Sequence, residues 1–125
     1  TPLIAAFDRV RNHFGVGRVA QAGALAALQD QAWLRDVQAR VAAARDTLAE
    51  IARAHGLIPL PSATNFVTMD CGGDGDRAAD LITRLAAEGV FARMPGVAPL
   101  NRCIRVSVGD DAAMAAFAAA LASVT

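Results

Sequence analysis

The feature that most constrains the fold of this chain is an alternation of apolar and polar side chains near its C-terminal end. Ile104, Val106 and Val108 are apolar, and Arg105 and Ser107 lie between them. A period of two predicts a strand whose arginine lies on the face opposite the apolar residues. On a rigid strand, a guanidinium is either simply solvated or well placed to bind a carboxylate through two parallel hydrogen bonds.

A second strand is predicted immediately before this one. The segment GVFAR, residues 89–93, is short and apolar and ends at Arg93. Pro95, Gly96 and Pro99 then mark a loop before the strand that holds Arg105. We therefore predict two neighbouring strands that each carry an arginine.

Helical periodicity and turn residues organise the rest of the chain. Helices are predicted over about 3–10, 18–28, 31–55 and 76–88, and from an Asp110 N-cap to the C-terminal end; short strands are predicted at 57–58 and 65–70. The helix at 18–28 is apolar almost all round, so we expect it to be buried on most sides. The order of elements indicates an α/β (α+β) sandwich with a small, mainly antiparallel sheet covered by helices.

Composition argues against several classes of function. The formal net charge is +0 and the arginines are interleaved with acids, so we expect no nucleic-acid partner. No apolar run approaches the roughly eighteen residues that would span a membrane. His13 and His55 are too few and too separated for a metal site, and Cys71 and Cys103 are expected to be buried structural thiols. A cytoplasmic location is the default expectation.

The glycine-rich run 72–75 invites a phosphate-loop interpretation. It lacks the lysine-containing P-loop pattern, and Asp74 and Asp76 would repel a phosphate. A turn between a strand and a helix is the better account, so no cofactor-binding residue is predicted there.

Several motifs occur together in one order: RNHFGV (11–16), SATNFV (62–67), GVFAR (89–93) and IRVSVG (104–109), with an acid following. In this order they resemble the C-terminal (small) domain of fold-type I, pyridoxal-phosphate-dependent aminotransferases of class I/II. The most similar branch is the histidinol-phosphate aminotransferases. The resemblance covers essentially the whole chain.

The resemblance implies roles for three substrate-binding candidates. Arg105 would bind the substrate α-carboxylate. Arg93 would lie near the substrate side chain and meet a phosphate or a distal acidic group, or else form an ordinary salt bridge. Asn65 would contact the substrate, although capping of the adjacent loop is the simpler role.

The resemblance also implies what this chain does not contain. All twelve basic residues are arginine, and the chain has neither lysine nor tyrosine. The family holds pyridoxal 5'-phosphate on a Schiff-base lysine, so this chain should be inactive alone and should bind no cofactor by itself. Residues 1–30 would be interdomain or hinge helices, and 31–125 the small domain. Without the rest of the enzyme, the helix at 18–28 would lack part of its packing partner.

The intact enzyme implied by the resemblance would be a homodimer that contains the missing large domain. It would move an amino group between an amino acid and a 2-oxo acid, with histidinol phosphate as one possible donor. Two alternatives stay open. The chain could belong to another fold-type I enzyme, a decarboxylase or a lyase, because residues outside this chain set the chemistry. It could also be a free-standing, non-catalytic interaction module.

Overall fold

The computed structural model describes residues 1–11 and 15–125, which form helices α1 to α5 and strands β1 to β3. In chain order the elements are α1 (Pro2–Val10), α2 (Arg18–Gln29), α3 (Gln31–Ala54), β1 (Ile58–Pro59), β2 (Phe66–Asp70), α4 (Gly75–Ala87), a 3₁₀ turn (Leu100–Arg102), β3 (Cys103–Ser107) and α5 (Asp111–Val124). The α/β class predicted from the sequence is confirmed. Asn12, His13 and Phe14, which belong to the RNHFGV motif, lie outside the described residues.

The chain divides into two compact units, Thr1–Asp36 and Val37–Thr125. The first unit contains α1, α2 and the beginning of α3. The Thr1 hydroxyl caps α1 by accepting a hydrogen bond from the Ile4 amide at 3.5 Å.

Neither α1 nor α2 contains a buried residue. Val19 of α2, for example, is 88% exposed. The helix predicted at 18–28 is therefore present, and within the described chain it is not buried on most sides. An apolar composition favours burial of a helix, but burial also requires a neighbouring element against which the helix can pack.

The second unit is a two-layer sandwich built on a three-stranded antiparallel sheet in the order β1-β2-β3. One face of the sheet is buried, with Val67 and Met69 of β2 beside Ile104 and Val106 of β3. Helices α3, α4 and α5 cover that face, and their core side chains include Leu48, Ala52, Leu81, Leu85, Phe117 and Leu121. The opposite face keeps its polar side chains, as the alternation in β3 predicts.

The helices of this unit begin and end at the capping residues that the sequence predicts. The Asp110 side chain caps α5 by accepting from the Ala113 amide at 2.9 Å. Gly56 after α3 and Gly89 after α4 both have positive φ angles, +73° and +78°. Glycine adopts this left-handed conformation without the steric penalty that a Cβ would bring.

The strand predicted at Gly89–Arg93 is wrong. Arg93 forms only an isolated bridge with Arg105, and the residues before it belong to no strand. On one side the Val90 amide still bonds back to the Leu85 carbonyl of α4, at 2.9 Å. On the other side Pro95 lacks the N–H that the next ladder hydrogen bond would require.

Candidate functional site

The candidate site is the open face of the sheet, which we call the outer face and define by Phe66, Thr68, Arg105 and Ser107. In the β2–β3 register Thr68 lies opposite Arg105, and Phe66 lies opposite Ser107. Phe66, Thr68 and Arg105 are partly buried and Ser107 is exposed. The outer face is therefore accessible to solvent, and the opposite face of the sheet packs on the core.

The Arg105 backbone is held on both sides. It pairs with Thr68 in the β2–β3 ladder. On its other side its amide donates to the Arg93 carbonyl at 2.6 Å, and the Arg93 amide donates to the Arg105 carbonyl at 3.1 Å. Both backbone groups of Arg105 therefore bond to Arg93, and Thr68 is its non-hydrogen-bonded neighbour in the β2–β3 ladder. Neighbouring backbone on both sides gives the side chain a fixed starting point.

The Arg105 side chain rests on an aromatic ring. Its Cζ lies over the Phe66 ring, 4.6 Å from the centroid, within the range of a cation–π interaction. Within residues 1–11 and 15–125, no carboxylate forms a salt bridge with Arg105. The Phe66 ring therefore positions this guanidinium without neutralising its positive charge.

Arg93 is brought directly beside Arg105 by the isolated bridge. Directly opposed residues of an antiparallel pair project to the same side, so both arginines belong to the outer side of the sheet. Like charges directly opposite one another are destabilising, and no described acid is paired with Arg93 either. An anion bound at this place would relieve that repulsion, whereas the role of Arg93 toward a substrate stays a prediction.

Asn65 lies at the beginning of the same strand pair. Its carbonyl accepts a hydrogen bond from the Val108 amide at 2.9 Å, which extends the pairing of β2 and β3 by one step. Asn65 is exposed. The backbone bond explains a structural role for this position, and a substrate contact from its side chain remains a prediction.

A shallow cavity adjoins the outer face. It has a volume of about 220 Å³ and is lined by the loop Leu60–Thr64 together with Phe66, Thr68 and Leu100. The Ser62 and Thr64 hydroxyls both donate to the Phe66 carbonyl, at 2.6 and 3.2 Å. The loop therefore fixes the backbone of the residue whose ring carries Arg105.

Sequence reasoning missed an ion pair at the far end of these strands. Arg102 donates from Nε to both Asp70 carboxylate oxygens at 2.9 Å, and from Nη2 to Oδ2 at 2.5 Å. The Arg102 hydrogen bond, assisted by one from the Gly72 amide, holds the pKa of the Asp70 carboxyl below its usual value of 3.8. The same pairing raises the pKa of Arg102.

The glycine-rich run is a turn, as predicted. The Gly72 amide donates to Asp70 Oδ1 at 2.8 Å. The Asp74 carboxylate accepts from the Asp76 and Arg77 amides at the beginning of α4, at 3.2 and 3.3 Å. The amides that a phosphate would use are thus already bonded to a side chain of this chain.

The other residues considered for chemistry are the two cysteines and the possible metal ligands. Cys71 and Cys103 are buried free thiols, as predicted, and burial raises the pKa of both. No group of three or more His, Cys, Asp or Glu side chains among the described residues is arranged to hold a metal ion. Within the same ranges, every helix is too short or too polar to span a bilayer.

Comparison with known proteins places this chain in a family. Residues 1–121 match the family model described as aminotransferase class I and II. Histidinol-phosphate aminotransferase 2 of Rhizobium meliloti is 34% identical over 96% of this chain, and histidinol-phosphate aminotransferase 1 of Bordetella parapertussis is 37% identical over 95%. The chain spans about a third of the length of these curated relatives, 34% in both cases.

A solved structure supports the same assignment. The crystal structure of histidinol-phosphate aminotransferase from Sinorhizobium meliloti in complex with pyridoxal-5'-phosphate superposes with a TM-score of 0.90 at 53% identity. The match covers 95% of this chain and 33% of that one. The fold, the order of motifs and the family model agree, and this chain belongs to the class I and II aminotransferases.

Proposed function

We propose that this chain is the C-terminal, substrate-binding domain of a pyridoxal-phosphate-dependent aminotransferase. The reaction would move an amino group between an amino acid and a 2-oxo acid. The observation that carries the proposal is the state of Arg105: its backbone is hydrogen-bonded to Arg93 and paired with Thr68, its guanidinium lies over Phe66, and no described carboxylate neutralises it.

Arg105 binds the carboxylate that amino acids and 2-oxo acids share. A guanidinium presents N–H donors in a planar fork that matches the two oxygens of a carboxylate, so one residue fixes both the position and the orientation of the substrate. In this chain that orientation is the contribution to catalysis, because a held substrate reaches the reactive geometry without further loss of rotational freedom.

Arg93 supplies the second positive charge. The Asn65 side chain supplies a neighbouring amide group at the edge of the site. Two opposed arginines favour a substrate with a second anionic group over one with a single carboxylate. A phosphate or a distal carboxylate fits that requirement. Histidinol phosphate, the compound in the relatives' names, has a phosphate and no carboxylate, so its phosphate would occupy the place of the carboxylate beside the two arginines.

Residues of this chain do not fit the cofactor. The sequence has no lysine to bond pyridoxal 5'-phosphate covalently and no tyrosine to contact its ring oxygen. The amides at the beginning of α4 are capped by Asp74. The cofactor is therefore held by residues outside this chain, and the chain alone transfers no amino group.

Those residues belong to a large domain, and the complete enzyme is a homodimer. Support comes from the share of the relatives that this chain spans and from the exposed apolar side chains of α1 and α2. Residues 1–30 then form the interdomain helices and 31–125 the small domain. A cytoplasmic location stays a prediction, which cell fractionation would test.

An assay of the protein as its source cells produce it tests the proposal. Its intact mass is measured first, followed by amino-group transfer from L-glutamate or histidinol phosphate to a 2-oxo acid with added pyridoxal 5'-phosphate. A mass well above 12.9 kDa together with transfer is the expected result.

The other outcomes separate the alternatives. Loss of CO₂ or bond cleavage without transfer of the amino group would identify a decarboxylase or a lyase. A mass of 12.9 kDa with no turnover would contradict the catalytic proposal and leave an interaction module.

A further inference from the structure

We propose that Phe66 is a positioning residue for Arg105: its ring sets the direction of the guanidinium and thereby the affinity of the site for a carboxylate. This inference rests on the proposed function of Arg105. It adds a residue that the motif interpretation treated only as part of a strand.

The β2–β3 register brings the two side chains together. Phe66 pairs with Ser107, and Arg105 pairs with Thr68, so Phe66 and Arg105 are diagonal neighbours on the outer face. Diagonal neighbours in an antiparallel pair are within reach of aromatic and long side chains. The Cζ atom indeed lies 4.6 Å from the ring centroid.

The ring is itself held in place. The Phe66 carbonyl accepts from the Ser62 and Thr64 hydroxyls, and the Phe66 amide donates to Thr64 Oγ1 at 3.4 Å. Phe66 is partly buried and has only two side-chain torsions, so its ring is a stiff surface compared with the long arginine side chain.

An aromatic ring positions a guanidinium without competing with the substrate. A carboxylate partner would use the N–H donors and neutralise the charge, as Asp70 does for Arg102. A phenyl ring offers no lone pair, so the N–H groups in the guanidinium plane remain available for a ligand. The ring thus reduces the conformational freedom that Arg105 would otherwise lose on binding.

The experiment measures ligand affinity by calorimetry in the complete protein as its source cells produce it. The probes are L-glutamate and propylamine, which is glutamate without its two carboxylates. Phe66→Leu removes the ring and keeps an apolar side chain, and Phe66→Tyr keeps the ring. Phe91→Leu is the matched control, because this phenylalanine is 84% exposed and no cation of the described chain lies over its ring.

We expect Phe66→Leu to weaken L-glutamate binding roughly three- to thirtyfold, the range of a cation–π contact, and to leave propylamine binding unchanged. Phe66→Tyr and Phe91→Leu should bind both probes like the wild type. In an Arg105→Ala background, Phe66→Leu should cause no further loss of affinity, since the ring acts only through that arginine.

Equal weakening of both probes, or an undiminished effect in the Arg105→Ala background, would overturn the inference and assign Phe66 to packing alone. If Phe66→Leu does not fold, Phe66→Met takes its place as a second variant without a ring. Arg105→Ala with unchanged glutamate affinity would contradict the proposed function itself. A clear effect of Arg105→Ala with none from Phe66→Leu would contradict only the role of Phe66.

Discussion

Two arginines separated by three positions in the sequence have opposite environments in this fold. Arg102 precedes β3 and donates three hydrogen bonds to the Asp70 carboxylate, which is mostly buried. Arg105, in the middle of β3, has no described carboxylate partner and lies over the ring of Phe66. The first arginine joins the ends of two strands, and the second keeps a charge that no described carboxylate neutralises.

This difference shows that residue type and spacing do not determine the role of a charge. Both residues are arginines in the same segment, and the partner across the sheet decides between them. The Asp70 carboxylate, which pairs with the neighbouring Cys103, reaches Arg102 and neutralises its charge. The Thr68 hydroxyl opposite Arg105 and the diagonal Phe66 ring leave the Arg105 charge available. Substitutions that separate ligand affinity from stability therefore test the comparison.

The largest expected effect is the loss of ligand affinity in Arg105→Gln. Removing one partner of a hydrogen-bonded charge pair costs about 2–5 kcal/mol of binding, so L-glutamate affinity should fall at least thirtyfold or so. Arg102→Gln is the matched variant, and it should leave the affinity nearly unchanged while lowering the melting temperature. Calorimetric titration and thermal unfolding measure the two effects. The comparison fails if both variants lose affinity equally.

The next effect concerns the other end of β3. A Cβ at Gly109 would lie 2.6 Å from the Ala113 Cβ, so Gly109→Ala forces β3 or α5 to move. Overpacking of this kind costs about 1–3 kcal/mol in the free energy of unfolding. Gly96→Ala, where nothing lies within 4 Å, is the control. Denaturant titration of both variants gives the answer, and equal stability of the two would show that the segment accommodates the methyl group.

A smaller effect is expected at Asp70. Because its pKa is lowered in the folded protein, the Asp70 carboxylate stabilises the fold above its usual value of 3.8, and this contribution is lost as pH falls through the lower folded pKa. Asp70→Asn should lower the free energy of unfolding by about 1 kcal/mol at neutral pH, a modest value because Arg102 is half-exposed.

The same variant should also lose less stability than the wild type as pH falls below about 3.8, because it has no carboxylate to protonate. Denaturant unfolding at a series of acidic pH values measures this dependence. Asp46→Asn, an exposed acid on α3, is the control. Parallel stability–pH curves for Asp70→Asn and wild type would show that the Asp70–Arg102 pair contributes nothing.

The smallest effect is expected for the exposed ion pair between Arg84 and Asp80. Arg84 and Asp80 are neighbours on the surface of α4, 3.8 Å apart and largely exposed. Exposed pairs at this spacing contribute little, so Arg84→Ala should change the free energy of unfolding by less than about 0.5 kcal/mol. A loss as large as that of Asp70→Asn would mean that burial does not distinguish the two pairs.

The sequence was sufficient to predict the features that depend on local periodicity. The alternation around Arg105 predicted a strand with one polar face, Asp110 predicted the beginning of α5, and Gly56 predicted the end of α3. These depend on interactions between residues only a few positions apart. The open face that carries Arg105 follows from the same alternation.

Features that depend on strand register could not be predicted. Asp70 and Arg102 are separated by a helix and a loop, and their contact exists only because Asp70 pairs with Cys103. The ring of Phe66 meets Arg105 for the same reason. The strand predicted before Arg93 was wrong because Pro95 and the hydrogen bond back to α4 limit pairing to one residue, which periodicity does not show.

The most direct test of the account is a crystal structure of the complete protein with L-glutamate bound. We expect two parallel hydrogen bonds of about 2.7–2.9 Å from the Arg105 guanidinium to the α-carboxylate, with the guanidinium still over the Phe66 ring. Binding of the α-carboxylate by other residues, with Arg105 turned away from the ligand, would contradict it.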